Sequence, residues 1–381
     1  MTSGGIDTLK KYYPMENSAE KNWQEYLKKE LPKVSEILKT YGYLLDPDQP
    51  HVKGERFLMK ALTTIGGQKL ILLGKKSDTN EKVVIKITED PKGKKELFHE
   101  RECRQLLHEI NFAYDIFHSP EELLFTTTDN YLLTIHKFIK QEKPFLERPI
   151  SEQFDFALDS FKAQEKARAT THKHFKQIAK TFGNRTRHDY LRLSDTFESA
   201  LKNKNASQKT LESIKQAKQK LIQKTMRIEQ YCGFLTHTDF VPHNFRISGQ
   251  TLYLLDFSSL RFGNKHESWA RFLNFMTLYN RDLETALLEY MKNNRAEEEL
   301  ESLHLMRLFR LEEIITYYTN LLSDSEGDLL KLNTLRVNFW SEVLSAELTG
   351  KRVSNEIVEN YKIARDNLRS QEEKERQSGL H

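Results

Sequence analysis

The sequence predicts an α+β protein with two lobes, a small one built from antiparallel sheet plus one helix and a large one that is mainly helical. Two observations lead to this prediction. Residues 56–139 hold short runs rich in β-branched and apolar residues around a single helical segment. Beyond residue 149, apolar residues recur mainly at a spacing of three and four, which is typical of helices packed on one face.

The elements of the small lobe follow from these patterns in order. A helix is predicted over residues 18–41, and the two prolines of residues 45–50 end it. Turn-forming segments separate the first three β-rich runs, so these should form an antiparallel meander, followed by a helix over residues 94–110 and a further strand. The β-rich runs cover residues 56–62, 69–73, 82–87 and 131–139.

Composition excludes several classes of protein. The chain has 381 residues, enough for two or three structural units, and its 59 basic and 55 acidic residues give a net charge of only +4. The lysines are spread out, so we expect no nucleic-acid partner. No apolar run is long enough to span a membrane, and the first residues lack the basic and apolar blocks of a signal peptide. Two cysteines, Cys103 and Cys232, suggest a reducing compartment. The expected location is the cytoplasm.

The most informative segment lies in the helical part and reads H-x-D-x-x-P-x-N, followed twelve residues after the asparagine by D-F. Phosphoryl transfer from ATP needs one carboxylate that orients and deprotonates the acceptor, and an amide and a second carboxylate that hold magnesium. Between Asn244 and Asp256 the sequence predicts a tight hairpin, with Ile247 and Leu252 flanking a Ser-Gly-Gln turn. Such a hairpin brings Asn244 and Asp256 close enough to share an ion.

This segment resembles the catalytic region of the aminoglycoside phosphotransferase and choline kinase family, which has the protein-kinase-like fold. Family members typically read H-G-D-x-H-P-x-N, then a hairpin, then D-F-G-D-A and a later D-L-A. The joint spacing is more specific than any single triplet. The matching residues are His237, Asp239, Pro242, Asn244, Asp256, Phe257, Gly263 and Ala270.

The resemblance implies roles for these residues and the ligands ATP and Mg²⁺. Asp239 would be the catalytic residue, accepting the proton of the acceptor hydroxyl or aligning it. Asn244 and Asp256 would hold magnesium on the phosphates. By the same resemblance we expect residues 51–140 to be the small nucleotide-binding lobe and 141–370 the large helical catalytic and acceptor lobe. Residue patterns predict that 1–50 form an N-terminal helical extension and that 371–381 are a disordered tail.

Further nucleotide contacts are expected in the small lobe. Lys86, in the run Val83-Val-Ile-Lys, resembles the strand lysine that pairs with ATP phosphates. Glu96, Glu100 and Glu102 compete as its helix partner, and helix phase favours Glu100, which shares a face with apolar residues. Two further groups would contact ATP through their main chain. These are Gly66 and Gly67 at the phosphates, and Ile135, His136 and Lys137 at the adenine.

Several positions depart from the family pattern. Val241 replaces the lysine that serine/threonine protein kinases place two residues after the aspartate, and also the histidine common in antibiotic kinases. Ser258 and Ser259 replace a glycine and an acidic residue, and Ser268 replaces the aspartate that anchors the catalytic loop. None of these changes removes a group that performs the chemistry.

Two alternatives to a small-molecule kinase stay open. A protein kinase inserts an activation loop and a peptide platform after the D-F-G, but only eleven residues separate Asp256 from Ser268. The expected partner is therefore a small-molecule acceptor such as a sugar, amino sugar or amino alcohol, and an atypical protein kinase is less favoured. The other alternative is a catalytically silent kinase-fold binding module, which the serines would suit. A plain helical interaction protein would not explain the strand-rich segment.

Overall fold

The described part of the chain, in this computed structural model, comprises residues 18–47, 49, 69–110, 118–166 and 172–369, and its small lobe is a five-stranded antiparallel sheet. The strands are β1 (Tyr43–Leu45), β2 (Leu70–Lys76), β3 (Lys82–Thr88), β4 (Glu122–Thr128) and β5 (Tyr131–Lys137). Their order across the sheet is β1-β2-β3-β5-β4. The strand that carries Lys86 is therefore central, which fixes its position through pairing on both sides.

Alternation along β3 gives the sheet two different faces. Val83, Ile85 and Ile87 are buried on one face. There they pack with helix α1 (Ser18–Thr40), whose Val34 and Leu38 are fully buried. Because side chains alternate along a strand, Lys86 lies on the opposite face, where helix α2 (Pro91–Ile110) supplies its partner.

The predicted α+β class is confirmed, with differences in detail. The predicted runs at residues 69–73, 82–87 and 131–139 correspond to β2, β3 and β5. The run at residues 56–62 and the glycines Gly66 and Gly67 lie outside the described residues. Residues 43–45, in the segment expected to be a helical extension, form the edge strand β1, and β4 is an addition that the sequence patterns did not indicate.

The large lobe is mainly helical. Its described helices are α3 (Ile150–Lys166), α4 (His172–Phe182), α5 (Arg187–Asn203), α6 (Gln208–Gln223), α7 (Thr225–Gln230), α8 (Glu267–Tyr279), α9 (Arg281–Asn294), α10 (Glu297–Leu321), α11 (Gly327–Leu348) and α12 (Asn355–Leu368). Two small antiparallel pairs interrupt them, formed by β6 (Phe234–His237) with β9 (Leu260–Gly263) and by β7 (Phe245–Ser248) with β8 (Thr251–Leu254). The β7–β8 pair is the predicted hairpin, with Ile247 opposite Leu252 and Gly249 at a φ of 59° in the turn.

An aromatic core holds the segment between β6 and β7. Phe240 is fully buried, with its ring centroid 5.2 Å from that of Phe161 and 4.7 Å from that of Phe245. Phe161 in turn stacks on Trp269 of α8 at 4.0 Å. Large buried rings of this kind contribute much of a core's stability. The packing of these rings therefore holds in place the loop residues that flank Phe240.

None of the helices in the described ranges is both long enough and apolar enough to cross a membrane.

Candidate active site

Asp239 and Asn244 are directly hydrogen-bonded at the entrance of the large lobe. The Asn244 amide Nδ2 donates to the main-chain oxygen of Asp239 at 2.8 Å and to its carboxylate Oδ2 at 3.0 Å. The Asp239 side chain is 42% exposed, so its carboxylate can still meet a ligand. Because Nδ2 is used by Asp239, the amide oxygen of Asn244 is the atom that can bind a metal ion.

Arg271 of α8 contacts the same aspartate from the other side. Its Nε and Nη2 lie 3.0 Å and 2.9 Å from Asp239 Oδ1. Burial alone would raise the pKa of Asp239, but the charges of Arg271 and Arg310 and the hydrogen bond from Arg271 together lower it to about 2. Asp239 is therefore ionised at neutral pH. The sequence patterns did not single out Arg271, because the contact depends on how α8 docks against the loop.

His237 links the catalytic loop to the segment before Asp256. Its ring is fully buried, and Nε2 lies 3.2 Å and 3.0 Å from the main-chain oxygens of Leu255 and Asp256. Burial lowers the pKa of His237, so the ring is neutral and Nε2 is the nitrogen that donates. This contact fixes the main chain on both sides of the site.

Ser268 anchors the loop that carries Asp239 through buried hydrogen bonds. Its hydroxyl oxygen accepts from the main-chain N–H of His237 at 2.8 Å, and its own N–H donates to Thr236 Oγ1 at 3.1 Å. The hydroxyl also contacts the Gln164 side chain, and all of these groups are buried. Buried hydrogen bonds of this kind constrain a loop well. The serine thus holds the loop by a shared network in place of one carboxylate.

Asp256 is oriented by the two serines that follow it. Its backbone is left-handed, with a φ of 56°, a conformation that aspartate tolerates better than most residues. Ser259 Oγ donates to Asp256 Oδ2 at 2.7 Å, and Ser258 Oγ donates to Oδ1. A carboxylate oxygen has two lone pairs, so each can still bind a cation. The main-chain N–H of Leu255 donates to Asn244 O at 2.8 Å, which ties the main chain before Asp256 to that of Asn244.

The donor set fits Mg²⁺ held together with phosphates. Within the described residues there is no cluster of three or more His, Cys, Asp or Glu side chains that could hold a metal alone. Magnesium is usually bound by one or two carboxylates, with the remaining positions filled by phosphate and water oxygens. The amide oxygen of Asn244 and the carboxylate of Asp256 are ligands of that kind.

On the small lobe, Lys86 and Glu100 form a bidentate ion pair. Lys86 Nζ lies 2.7 Å and 2.8 Å from the two carboxylate oxygens of Glu100. Burial would raise the pKa of Glu100, but Lys86 and then Arg104 lower it to about 2. Glu102, the rival of Glu100 in the sequence, is exposed. The pair leaves the lysine's third proton for another ligand.

Apolar residues surround Lys86 on its face of the sheet. Ile71 is paired with Lys86 across β2 and β3, and Leu73 is paired with Val84. Ile71 is 39% exposed, whereas its neighbours Leu70 and Leu72 on the other face are buried. An exposed apolar surface beside a lysine suits a planar base joined to phosphates. The alternation of residues along β2 carries this signal in the sequence.

The segment expected to hold adenine lies inside the sheet. The strand partners of Ile135 and His136 stand on both sides, in β3 and β4, and the N–H of Lys137 donates to Glu121 O at 2.9 Å. The His136 ring is buried and within hydrogen-bonding distance of Arg104 Nη1 at 3.0 Å and Thr134 Oγ1 at 2.9 Å. Burial and the neighbouring Arg104 lower the pKa of His136 to about 3. A role for these three residues toward adenine remains a prediction.

The similarity of this chain to known proteins is found in its structure and not in its sequence. No known family profile matches the sequence, and no curated protein sequence matches it. Among solved structures, a macrolide 2'-phosphotransferase of type I aligns over 81% of this chain and 96% of its own, with 12% identity and a TM-score of 0.55. Aminoglycoside phosphotransferase APH(4)-Ia aligns over 77% and 97%, with 14% identity and a TM-score of 0.49. The chain therefore has the kinase-like fold of the macrolide 2'-phosphotransferase.

Proposed function

We propose that this protein transfers the γ-phosphoryl group of ATP to a hydroxyl of a small molecule. The observation that carries the proposal is the constellation of Asp239, Asn244 and Asp256: Asn244 hydrogen-bonds the Asp239 carboxylate, and Leu255, the residue before Asp256, hydrogen-bonds the main chain of Asn244. Phosphoryl transfer depends mainly on positioning and charge stabilisation, and these groups are the ones it needs. Lys86, paired with Glu100, provides a cation for the phosphates.

Asp239 would orient the acceptor hydroxyl and take its proton. A carboxylate with a pKa of about 2 is a weak base at neutral pH. It suits a loose transition state, in which the hydroxyl loses its proton late and alignment matters most. Asn244 and Asp256 would hold Mg²⁺, which supplies a counter-charge for the phosphates when bound.

The connection after Asp256 favours a small acceptor. Strand β9 follows almost at once, and α8 already begins at Glu267. This leaves no segment for a peptide platform, so an atypical protein kinase is the weaker proposal. We further propose that residues 51–140 form the nucleotide lobe and 141–370 the catalytic and acceptor lobe, in a cytoplasmic protein.

The silent binding module is the second candidate, and the serines were its main support. In the structure these residues bond functional groups: Ser258 and Ser259 donate to the Asp256 carboxylate, and Ser268 bonds the main chain of His237. Serines that orient the Asp256 carboxylate and anchor the loop favour an active site. The two candidates differ in turnover, which makes them separable by experiment.

The test is an acceptor screen with γ-labelled ATP and Mg²⁺. The panel contains sugars, aminoglycosides, amino alcohols and macrolides, the last because the structural relative is named for that substrate. We expect label on at least one small molecule and none on a generic protein mixture. Binding of MgATP without transfer to any of them would support the silent module, and label on protein alone would support the atypical protein kinase.

A further inference from the structure

The catalytic loop lacks a cation at the position where protein kinases carry one. Two residues after Asp239 stands Val241, whose side chain is only 2% exposed and packs in the large hydrophobic core. A side chain at this position points away from the cleft, so it could not reach a phosphate. A phosphoryl group that approaches the ionised Asp239 would meet an uncompensated negative charge unless another element supplies a cation.

Helix α8 supplies one at Arg271. Ser268 of this helix accepts from His237 N, and one turn later Arg271 contacts Asp239 Oδ1. Residues three apart lie on one face of a helix. The helix therefore docks on the catalytic loop through two residues on the same face, one turn apart. The hydrogen bond at Ser268 fixes the position of Arg271 relative to Asp239.

The guanidinium is only partly used by this contact. Nε and Nη2 both point to Asp239 Oδ1, while Nη1 has no partner among the described residues. The side chain is 19% exposed, so the charge is neither buried nor freely solvated. An arginine offers five N–H donors in a planar fork that matches phosphate oxygens.

Typical distances in a reactive complex place Nη1 of Arg271 beside the transferred phosphoryl group. A hydroxyl oriented by Asp239 lies about 2.6–3.2 Å from its carboxylate. In a reactive complex the transferred phosphorus lies about 3–3.5 Å from that hydroxyl. Nε and Nη2 of Arg271 lie 3.0 Å and 2.9 Å from Oδ1 of the same carboxylate, and Nη1 belongs to the same planar guanidinium, so an equatorial phosphoryl oxygen comes within its reach.

We propose that Arg271 is the cation of the reaction centre: it holds the Asp239 carboxylate through Oδ1 and presents Nη1 to the γ-phosphoryl group. It thereby takes the place of the loop cation that Val241 cannot provide. This inference rests on the proposed ATP-dependent function. The contact between Nη1 and the phosphoryl group exists only when the nucleotide has a γ-phosphate. Loss of a purely structural arginine would not discriminate between nucleotides with and without that phosphate.

The experiment compares two nucleotides across three variants. MgAMP-PNP and MgADP are titrated calorimetrically into the wild type, Arg271→Ala, Arg271→Lys and Arg295→Ala. Arg295 is the matched control, since it is also 19% exposed and its guanidinium pairs with Glu165 at 2.9 Å, not with Asp239. Charge-assisted bonds are about twice as strong as neutral ones. We expect Arg271→Ala to weaken MgAMP-PNP binding on the order of tenfold and to leave MgADP within about twofold.

Arg271→Lys should recover part of the MgAMP-PNP affinity, and Arg295→Ala should change neither nucleotide. Equal weakening of both nucleotides, or no weakening of MgAMP-PNP, would overturn the inference while leaving the proposed function intact. If Arg271→Ala fails to fold by circular dichroism, Arg271→Lys alone decides, because it keeps the charge and loses the planar fork. A wild type that binds neither nucleotide would instead refute the proposed function.

Discussion

Asp256 shows how a few atoms decide whether this cleft can hold a metal. Its left-handed backbone and the hydroxyls of Ser258 and Ser259 orient the carboxylate. The Asn244 amide nitrogen is bonded to Asp239, so the amide oxygen is the atom left to bind a metal ion. Sequence comparison with the family reads Ser258 and Ser259 as losses. In the structure both serines donate hydrogen bonds to the Asp256 carboxylate.

Removal of this carboxylate should abolish the magnesium dependence of nucleotide binding. We expect Asp256→Ala to lose most MgAMP-PNP affinity while its fold is retained, because the ion carries the counter-charge of the phosphates. Asp129→Ala is the control, since Asp129 also has a positive φ, of 48°, but lies in the β4–β5 turn. Calorimetry with and without Mg²⁺ measures the effect. Equal affinity of Asp256→Ala and wild type would show that the metal assignment is wrong.

The helix partner of Lys86 is the second residue-scale test. Lys86→Ala should weaken nucleotide binding strongly, because in the proposed function Nζ supplies a cation for the phosphates. Glu100→Gln should weaken it less, and Glu102→Gln should have almost no effect, since Glu100 bonds Lys86 and Glu102 is exposed. Titration of MgAMP-PNP into the three variants gives the ranking. A larger effect at Glu102 than at Glu100 would contradict it.

Residue-scale features were predictable from the sequence only where local geometry decides them. Helix phase alone separated Glu100 from Glu102, because the two residues point to different sides of α2. Arg271 could not be found this way. It is one of 59 basic residues, and its contact with Asp239 arises from the docking of α8 on the catalytic loop.

At the scale of elements, short strands and helix breaks were the weak points of prediction. Strand β1 has three residues, too few for a period to show. Strand β4 joins β5 through Asp129 and Asn130, and an Asp-Asn pair is a turn signal in the sequence that could have revealed the hairpin; Asp129 has a φ of 48° there. A periodic stretch at residues 210–231 looks like one helix, but Lys224 leaves helical geometry and divides it into α6 and α7.

Helix α1 has a structural role that its sequence position did not suggest. Its fully buried Leu38 packs on the face of the sheet opposite Lys86. Leu38→Ala should lower the free energy of unfolding by about 2–5 kcal/mol, because it leaves a cavity in that layer. Lys39→Ala, one residue along and 54% exposed, should change it by less than about 0.5 kcal/mol. Urea unfolding followed by circular dichroism makes the comparison, and similar values for both variants would show that α1 does not stabilise the sheet.

At the scale of the whole molecule, a main-chain hydrogen bond joins the two lobes: His118 O, in the small lobe, accepts from Leu254 N of β8 at 2.8 Å. Gln141, at the start of the large lobe, accepts through Oε1 from Ile247 N of β7 at 2.9 Å. Both contacts fall on the β7–β8 hairpin, which also connects Asn244 to Asp256. The hairpin that connects Asn244 to Asp256 is therefore also the point at which the large lobe contacts the small lobe through His118. The order of strands and helices was enough to predict this two-lobed plan.

The most direct test of the proposed activity compares wild type with Asp239→Asn. The change keeps the shape of the side chain but removes its proton acceptor and its charge. With an acceptor from the screen, we expect turnover to fall on the order of a hundred- to ten-thousand-fold, while MgATP affinity changes little. Unchanged turnover in Asp239→Asn would contradict catalysis by this aspartate, and a wild type that binds MgATP but phosphorylates none of the small molecules would contradict the phosphotransferase itself.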